Sequence, residues 1–173
     1  MNQNVKGDIV NSIENFRLPK YNEIPNVGLY LEQTSKYISE YLEPLQQGSV
    51  TCSMISNYVK KNLLKNPVKK QYDREQIAYL IFIAVAKMVV SMDDMKLLLD
   101  LQKKTYSAEE AYTYFASEFK SVIDYVFGLN PHLNEIGEDF TMEKKLLRNI
   151  IVTVAHKVYL DKSFLFMHEN NIK

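Results

Sequence analysis

Residues 77–90 have no polar face. Every residue from Ile77 to Ala86 is apolar or aromatic, and Lys87 is the one charge before Val90. A helix that is apolar on nearly all sides must be enclosed, so the rest of the chain has to supply amphipathic elements that surround it. The run is well below the roughly 20 residues needed to cross a bilayer. Residues 1–10 hold Lys6 and Asp8 and no continuous apolar stretch, so no secretory signal is expected and the expected location is the cytoplasm. Gly and Pro are scarce, at five each, which disfavours a turn-rich β fold. The expected fold class is all-α.

The flanking segments read as that enclosure. Residues 29–42 form a helical pattern, with Tyr30, Thr34, Tyr37, Ile38, Tyr41 and Leu42 on one stripe. Pro44 and Gly48 end it. Thr51 or Ser53 caps a second helix that buries Ile55, Tyr58, Val59 and Leu63. Its opposite face carries Ser53, Asn57, Lys60 and Lys61. Residues 64–72 are short and contain Asn66-Pro67, and they read as a small hairpin. Asp73 with Gln76, and Ser107 with Glu110, have capping-box spacing. Ser91 caps a helix with Asp93 and Asp94 in its first turn. The helix after Ser107 carries the stripe Phe115, Phe119, Val122, Ile123 and Val126, and Gly128 ends it. Residues 130–140 read as a loop. Thr141 opens a last helix with Leu147, Ile150, Ile151, Val154 and Val158 inward. Residues 1–15 read as a polar arm or a short amphipathic helix anchored by Ile9, Val10 and Ile13. The expected organisation is an arm at 1–26, a winged helix-turn-helix module at 27–104 and a C-terminal helical pair at 105–173.

Formal net charge is zero, yet residues 46–72 contain no acid and hold Lys60, Lys61, Lys65, Lys69 and Lys70. A solvated lysine face accounts for such a patch, and so does a phosphate-binding surface. The order helix, turn, helix with a polar-basic outer face, basic hairpin and long apolar helix is the layout of a winged DNA reader. On that reading the five lysines neutralise phosphates of double-stranded DNA. Asn57 both donates and accepts, which suits an adenine edge, although a solvated Asn explains it equally. Ser53 and Ser56 complete the candidate contact set.

The segment Ser53-Met-Ile-Ser-Asn-Tyr-Val-Lys-Lys-Asn-Leu-Leu64 resembles the recognition helix of MerR-type regulators. Ile55, Tyr58, Leu63, Leu64 and Pro67 match that pattern, Lys70 and Tyr72 resemble the end of its wing, and Glu75 and Ile77 the start of its next helix. Ser91-Met-Asp-Asp-Met95 is similar to the following helix start. Two positions depart: Ser56 stands where the family often has Arg, and Asn62 where it has Gly. Asn tolerates the left-handed backbone that a helix end needs. Residues 24–99 are more similar still to a bacterial domain-of-unknown-function family, through Ile-Pro-Asn-Val-Gly-Leu-Tyr-Leu-Glu-Gln at 24–33, Met-Ile-Ser-Asn-Tyr-Val-Lys-Lys at 54–61 and Lys-Lys-Gln-Tyr-Asp-Arg-Glu-Gln-Ile at 69–77. The resemblance implies a MerR-like fold and a sequence-specific, DNA-binding transcription regulator. The rival is an interaction module that keeps the fold without binding DNA, a reading that Ser56 favours.

No phosphate-binding Gly loop, His-Glu-x-x-His or nucleophile elbow occurs, so neither an enzyme nor a cofactor is expected. Cys52 is alone, and His132, His156 and His168 lack metal-ligand spacing. The aromatics at 106–127 read as core first, then as a ligand pocket or a dimer seam. A homodimer through the 115–126 and 147–158 stripes is the expected assembly, and the competing expectation is that these stripes face each other within one chain.

Overall fold

The computed structural model describes residues 3–45, 48–133 and 141–170, with side chains from residue 7 onward. Gln46 and Gln47 in the expected first turn, and 134–140 in the expected loop, lie outside the described residues. In chain order the elements are α1 (Gln3–Asn11), β1 (Leu29–Tyr30), α2 (Leu31–Leu42), α3 (Cys52–Lys60), β2 (Gln71–Tyr72), α4 (Arg74–Ala86), α5 (Met92–Thr105), α6 (Ala108–Val126) and α7 (Met142–Glu169). The architecture is mainly helical, and the one sheet among the described residues pairs β1 with β2.

The all-apolar segment is the centre of the molecule. Ile77, Leu80, Ile81, Ile83, Val85 and Ala86 of α4 are all buried, so this helix presents core-facing residues around its circumference. Its start is fixed by reciprocal capping: Gln76 N donates to Asp73 Oδ1 at 2.8 Å and Asp73 N donates to Gln76 Oε1 at 3.0 Å. Ser91, Ser107 and Thr141 accept from backbone N–H groups three residues on and start α5, α6 and α7. Gly128, at φ +75°, ends α6: Leu129 N donates to the Asp124 carbonyl at 2.8 Å and Gly128 N to the Tyr125 carbonyl at 3.0 Å, a Schellman arrangement.

Buried residues from Ile9 to Val158 form one contiguous core, to which all three expected segments contribute. The N-terminal segment is docked rather than trailing. Ile9, Ile13, Phe16 and Leu18 are buried, and Phe16 meets Phe119 edge-on at 5.7 Å. The Tyr112 hydroxyl donates to the Pro19 carbonyl at 2.9 Å, and Arg74 Nε donates to the Ile24 carbonyl at 2.8 Å.

Much of the two stripes named for a dimer seam is buried within the chain, the arrangement of the competing expectation. Phe115, Phe119, Val122 and Ile123 of α6 are buried, and so are Ile151, Val154 and Val158 of α7. Lys144 lies over Tyr114, Arg148 beside Glu118 and Tyr159 against Phe127. These pairs advance in the same direction, so α6 and α7 run parallel, and Thr141 at the start of α7 lies beside Tyr106, just ahead of α6. The α7 side chains left outward include Leu160 and Phe164.

A correction concerns residues 29–42. The helix begins at Leu31, because Leu29 and Tyr30 pair antiparallel with Tyr72 and Gln71. Gln33 Oε1 accepts from Tyr30 N at 2.9 Å and takes up a backbone donor at the strand-to-helix junction. Gly28 lets the two chains approach, since a Cβ there would stand 2.7 Å from Gln71 Cβ. That atom is fixed to the backbone and cannot swing aside. Gly28→Ala should therefore destabilise the protein by about 1–3 kcal/mol through overpacking, measured as a lower urea midpoint at unchanged slope. An unchanged midpoint would show that the ribbon relaxes freely.

Candidate nucleic-acid interface

Helices α2 and α3 follow one another in the chain and pack together. Two serines of α2 hold the connection: Ser35 Oγ donates to the Val50 carbonyl at 2.5 Å, and Val50 N donates to Ser39 Oγ at 3.0 Å. Thr51, not Ser53, is the N-cap of α3, accepting from Met54 N at 3.2 Å. Ser53 is thereby left outward. Ile55 and Tyr58 are buried and fix the rotation of α3 about its axis.

That rotation exposes Ser53, Asn57 and Lys60, which follow one another at helical spacing along one line. Lys61 is exposed at the helix end. Ser56 is half-buried on the flank of the line, so it stands apart from the other three. The helix closes on Asn62 at φ +56°, with Leu63 N donating to the Tyr58 carbonyl and Asn62 N to the Val59 carbonyl. This Schellman end is the conformation for which Gly is the usual residue, and Asn supplies it here.

The basic hairpin is a tight two-residue turn. Val68 bridges Gln71 antiparallel, and between them Lys69 and Lys70 lie at φ +50° and +64°. Two successive left-handed residues make the type I′ turn that suits the twist of a hairpin, whose usual occupants are Asn-Gly. Lys65, Lys69 and Lys70 are exposed. The hairpin is tied down on both sides: Gln76 Nε2 donates to the Lys65 carbonyl at 2.9 Å, and β2 pairs with β1, which leads directly into α2. The return strand was expected within 64–72 alone, and its partner β1 comes from 29–30.

The fold adds a cation that the sequence pattern did not mark. Lys87, at the end of α4, places Nζ 3.8 Å from Met54 Sδ of α3, and burial lowers its pKa. Nothing along the chain links residues 87 and 54. Cys52 is half-buried in the first turn of α3. Among the described residues no three His, Cys, Asp or Glu side chains gather as a metal-binding group, and no helix is long and apolar enough to cross a membrane.

These elements define a mainly helical protein with one small antiparallel ribbon among the described residues. Residues 19–115, more than half of the chain, match the domain of unknown function DUF1836, and the protein belongs to that family. The matched region opens at Pro19, where Tyr112 is tied, and stops within α6. Comparison with curated proteins and with solved structures gives no match.

Proposed function

We propose that the protein is a sequence-specific, DNA-binding transcription regulator of the cytoplasm, with a MerR-like winged helix-turn-helix. On this reading α3 enters the major groove, where Asn57 meets a base edge and Ser53 and Lys60 flank it. Ser56 contributes from the side, and Lys61, Lys65, Lys69 and Lys70 meet phosphates. The observation that carries the reading is the hairpin tip. A left-handed conformation costs a non-Gly residue about 1–2 kcal/mol, yet two adjacent lysines hold it at an exposed turn that Asn-Gly would form with less strain. Strain of this kind persists where the side chains themselves are needed.

Reading two half-sites calls for two copies. Because much of the inner stripes is buried, a second copy would seat on another surface, such as the outer face of α7 at Leu160 and Phe164.

One observation favours the interaction-module rival. Tyr30, Gln71 and Val68 are successive partners across the ribbon, and Tyr30 and Val68 are exposed, as is the nearby Val27. Apolar groups in this position also suit a protein partner. Selection from a pool of random duplexes separates the readings. A regulator enriches a defined motif, and Asn57→Ala relaxes the preference at a single position. Recovery of no motif, with retention equal to that of a protein lacking a basic patch, favours the interaction module.

A further inference from the structure

Helices α4, α5, α6 and α7 converge around a cavity of about 280 Å³. Its wall is mostly aromatic and aliphatic: Tyr79 and Phe82 come from α4, Leu98 from α5, Tyr106 from the turn before α6, and Tyr114 and Phe115 from α6. The polar atoms around it are engaged with one another. The Tyr79 hydroxyl donates to Gln102 Oε1 at 3.0 Å, Gln102 Nε2 donates to the Tyr106 carbonyl at 2.9 Å, and the Tyr106 hydroxyl pairs with Thr141 Oγ1 at 3.0 Å. Glu110 is held by the Ser107 backbone and hydroxyl, and Glu143 accepts from Thr105 Oγ1 at 3.0 Å. Two ammonium groups sit on ring faces: Lys103 is 5.2 Å from the Tyr79 centroid, and Lys144 is 4.8 Å from that of Tyr114.

Size, charge and shape each limit the occupant. An apolar cavity of about 150 Å³ holds one benzene, and drug-sized ligands occupy about 300–1,000 Å³. A volume between those limits suits one or two rings. The charged residues of its wall are Glu110, Glu143 and Lys144, and each is already engaged, the carboxylates with Ser107 and Thr105 and the ammonium over the Tyr114 ring, so none is left over for a charged ligand. With the polar atoms already engaged, an occupant gains from apolar burial and from offset or edge-on contact with the rings.

We propose that this cavity binds an uncharged, planar aromatic molecule of one or two rings. If the DNA-binding reading holds, on which this consequence alone rests, the molecule is an effector. Tyr79 and Phe82 belong to α4, whose first turn follows the hairpin and whose Gln76 holds the hairpin's Lys65 carbonyl.

The test is calorimetric titration of the full chain with indole, with benzoate and benzyltrimethylammonium as anionic and cationic counterparts. Indole should bind at one site per chain, and both charged probes at least ten-fold more weakly. Ala111, which lines the cavity, gives a filling variant: Ala111→Phe should lose indole binding ten-fold or more with an unchanged circular dichroism spectrum. If that variant does not fold, Tyr114→Ala removes a ring face and should weaken binding several-fold. No saturable heat with indole, equal affinity in a folded variant, or tighter binding of a charged probe overturns the site. DNA affinity measured with and without indole is a separate readout. Indole binding that leaves DNA affinity unchanged supports the site and overturns its role as an effector site. Indole binding by a protein that binds no DNA supports the site and overturns the regulator reading.

Discussion

Changing Lys69 and Lys70 together to Ala should weaken DNA binding about 30-fold at 0.15 M salt and reduce the log–log salt slope by about 1.8. Each phosphate neutralised contributes about −0.9 to that slope through counterion release, and the affinity loss is the same exponent applied to the salt concentration. The loss should be uniform across sequences, since phosphate contacts carry no base information. A second variant separates charge from turn geometry. Lys69→Asn with Lys70→Gly keeps the two-residue turn and relieves the left-handed strain at both positions. It should raise unfolding free energy by about 1 kcal/mol while weakening DNA binding as much as the double Ala variant. Fluorescence anisotropy across a salt series and urea denaturation measure the two quantities. If the Asn-Gly variant binds DNA as well as the natural protein, the lysines serve the turn alone and the hairpin is not a phosphate clamp.

Local chemistry made part of the fold legible. The caps at Asp73, Ser91, Ser107 and Thr141 are encoded within four residues, and each starts the helix its spacing implies. Asn62 is similar: it stands where the resemblance has Gly, Asn tolerates the left-handed backbone of a helix end, and its φ is +56°. The strand at Leu29–Tyr30 was not legible, because its partner lies some forty residues on and its own pattern continues the α2 stripe. The docking of Phe16 and Leu18 was hidden for the same reason, since what buries them comes from elements far along the chain.

The candidate interface divides along the same line. Periodicity put Ser53, Asn57 and Lys60 outward because Ile55 and Tyr58 had to face inward. Ser56 joined the candidate set from outside that face, and it is half-buried on the flank of α3. Periodicity was silent on Lys87, which only the crossing of α4 and α3 brings to Met54. The aromatics of α6 show how one stripe can serve two purposes. Phe119 is wholly core, while Tyr114 and Phe115 also wall the cavity. Spacing cannot separate these roles, because a cavity exists only where four helices fail to close on one another.

Arg148→Met should destabilise the protein by about 3 kcal/mol at pH 7, since removing a half-buried cation strands the buried charge it faces. The partner is Glu118 of α6, which is fully buried. Arg148 Nε stands 3.4 Å from Glu118 Oε1, close enough for an ion pair, yet among the described residues neither carboxylate oxygen receives a hydrogen bond. Burial raises the Glu118 pKa, and the Arg148 charge opposes that rise. The sign follows. A carboxyl whose folded pKa lies above its unfolded value penalises folding when ionised, and the penalty fades as pH falls through the folded pKa towards the unfolded one near 4.3. Without Arg148 the folded pKa rises further, so the deficit of the variant should be largest at neutral pH and shrink on acidification. Glu118→Gln in the Arg148→Met background should restore most of the lost stability at pH 7 and remove this pH dependence. Replacing both residues by Met should leave stability near that of the natural protein or above it, because an apolar pair has no charge to desolvate. Thermal unfolding from pH 5 to 8 reads all three variants. An Arg148→Met deficit that stays constant with pH and survives Glu118→Gln would mean that Arg148 acts through packing of its aliphatic stem, with Glu118 already protonated at neutral pH.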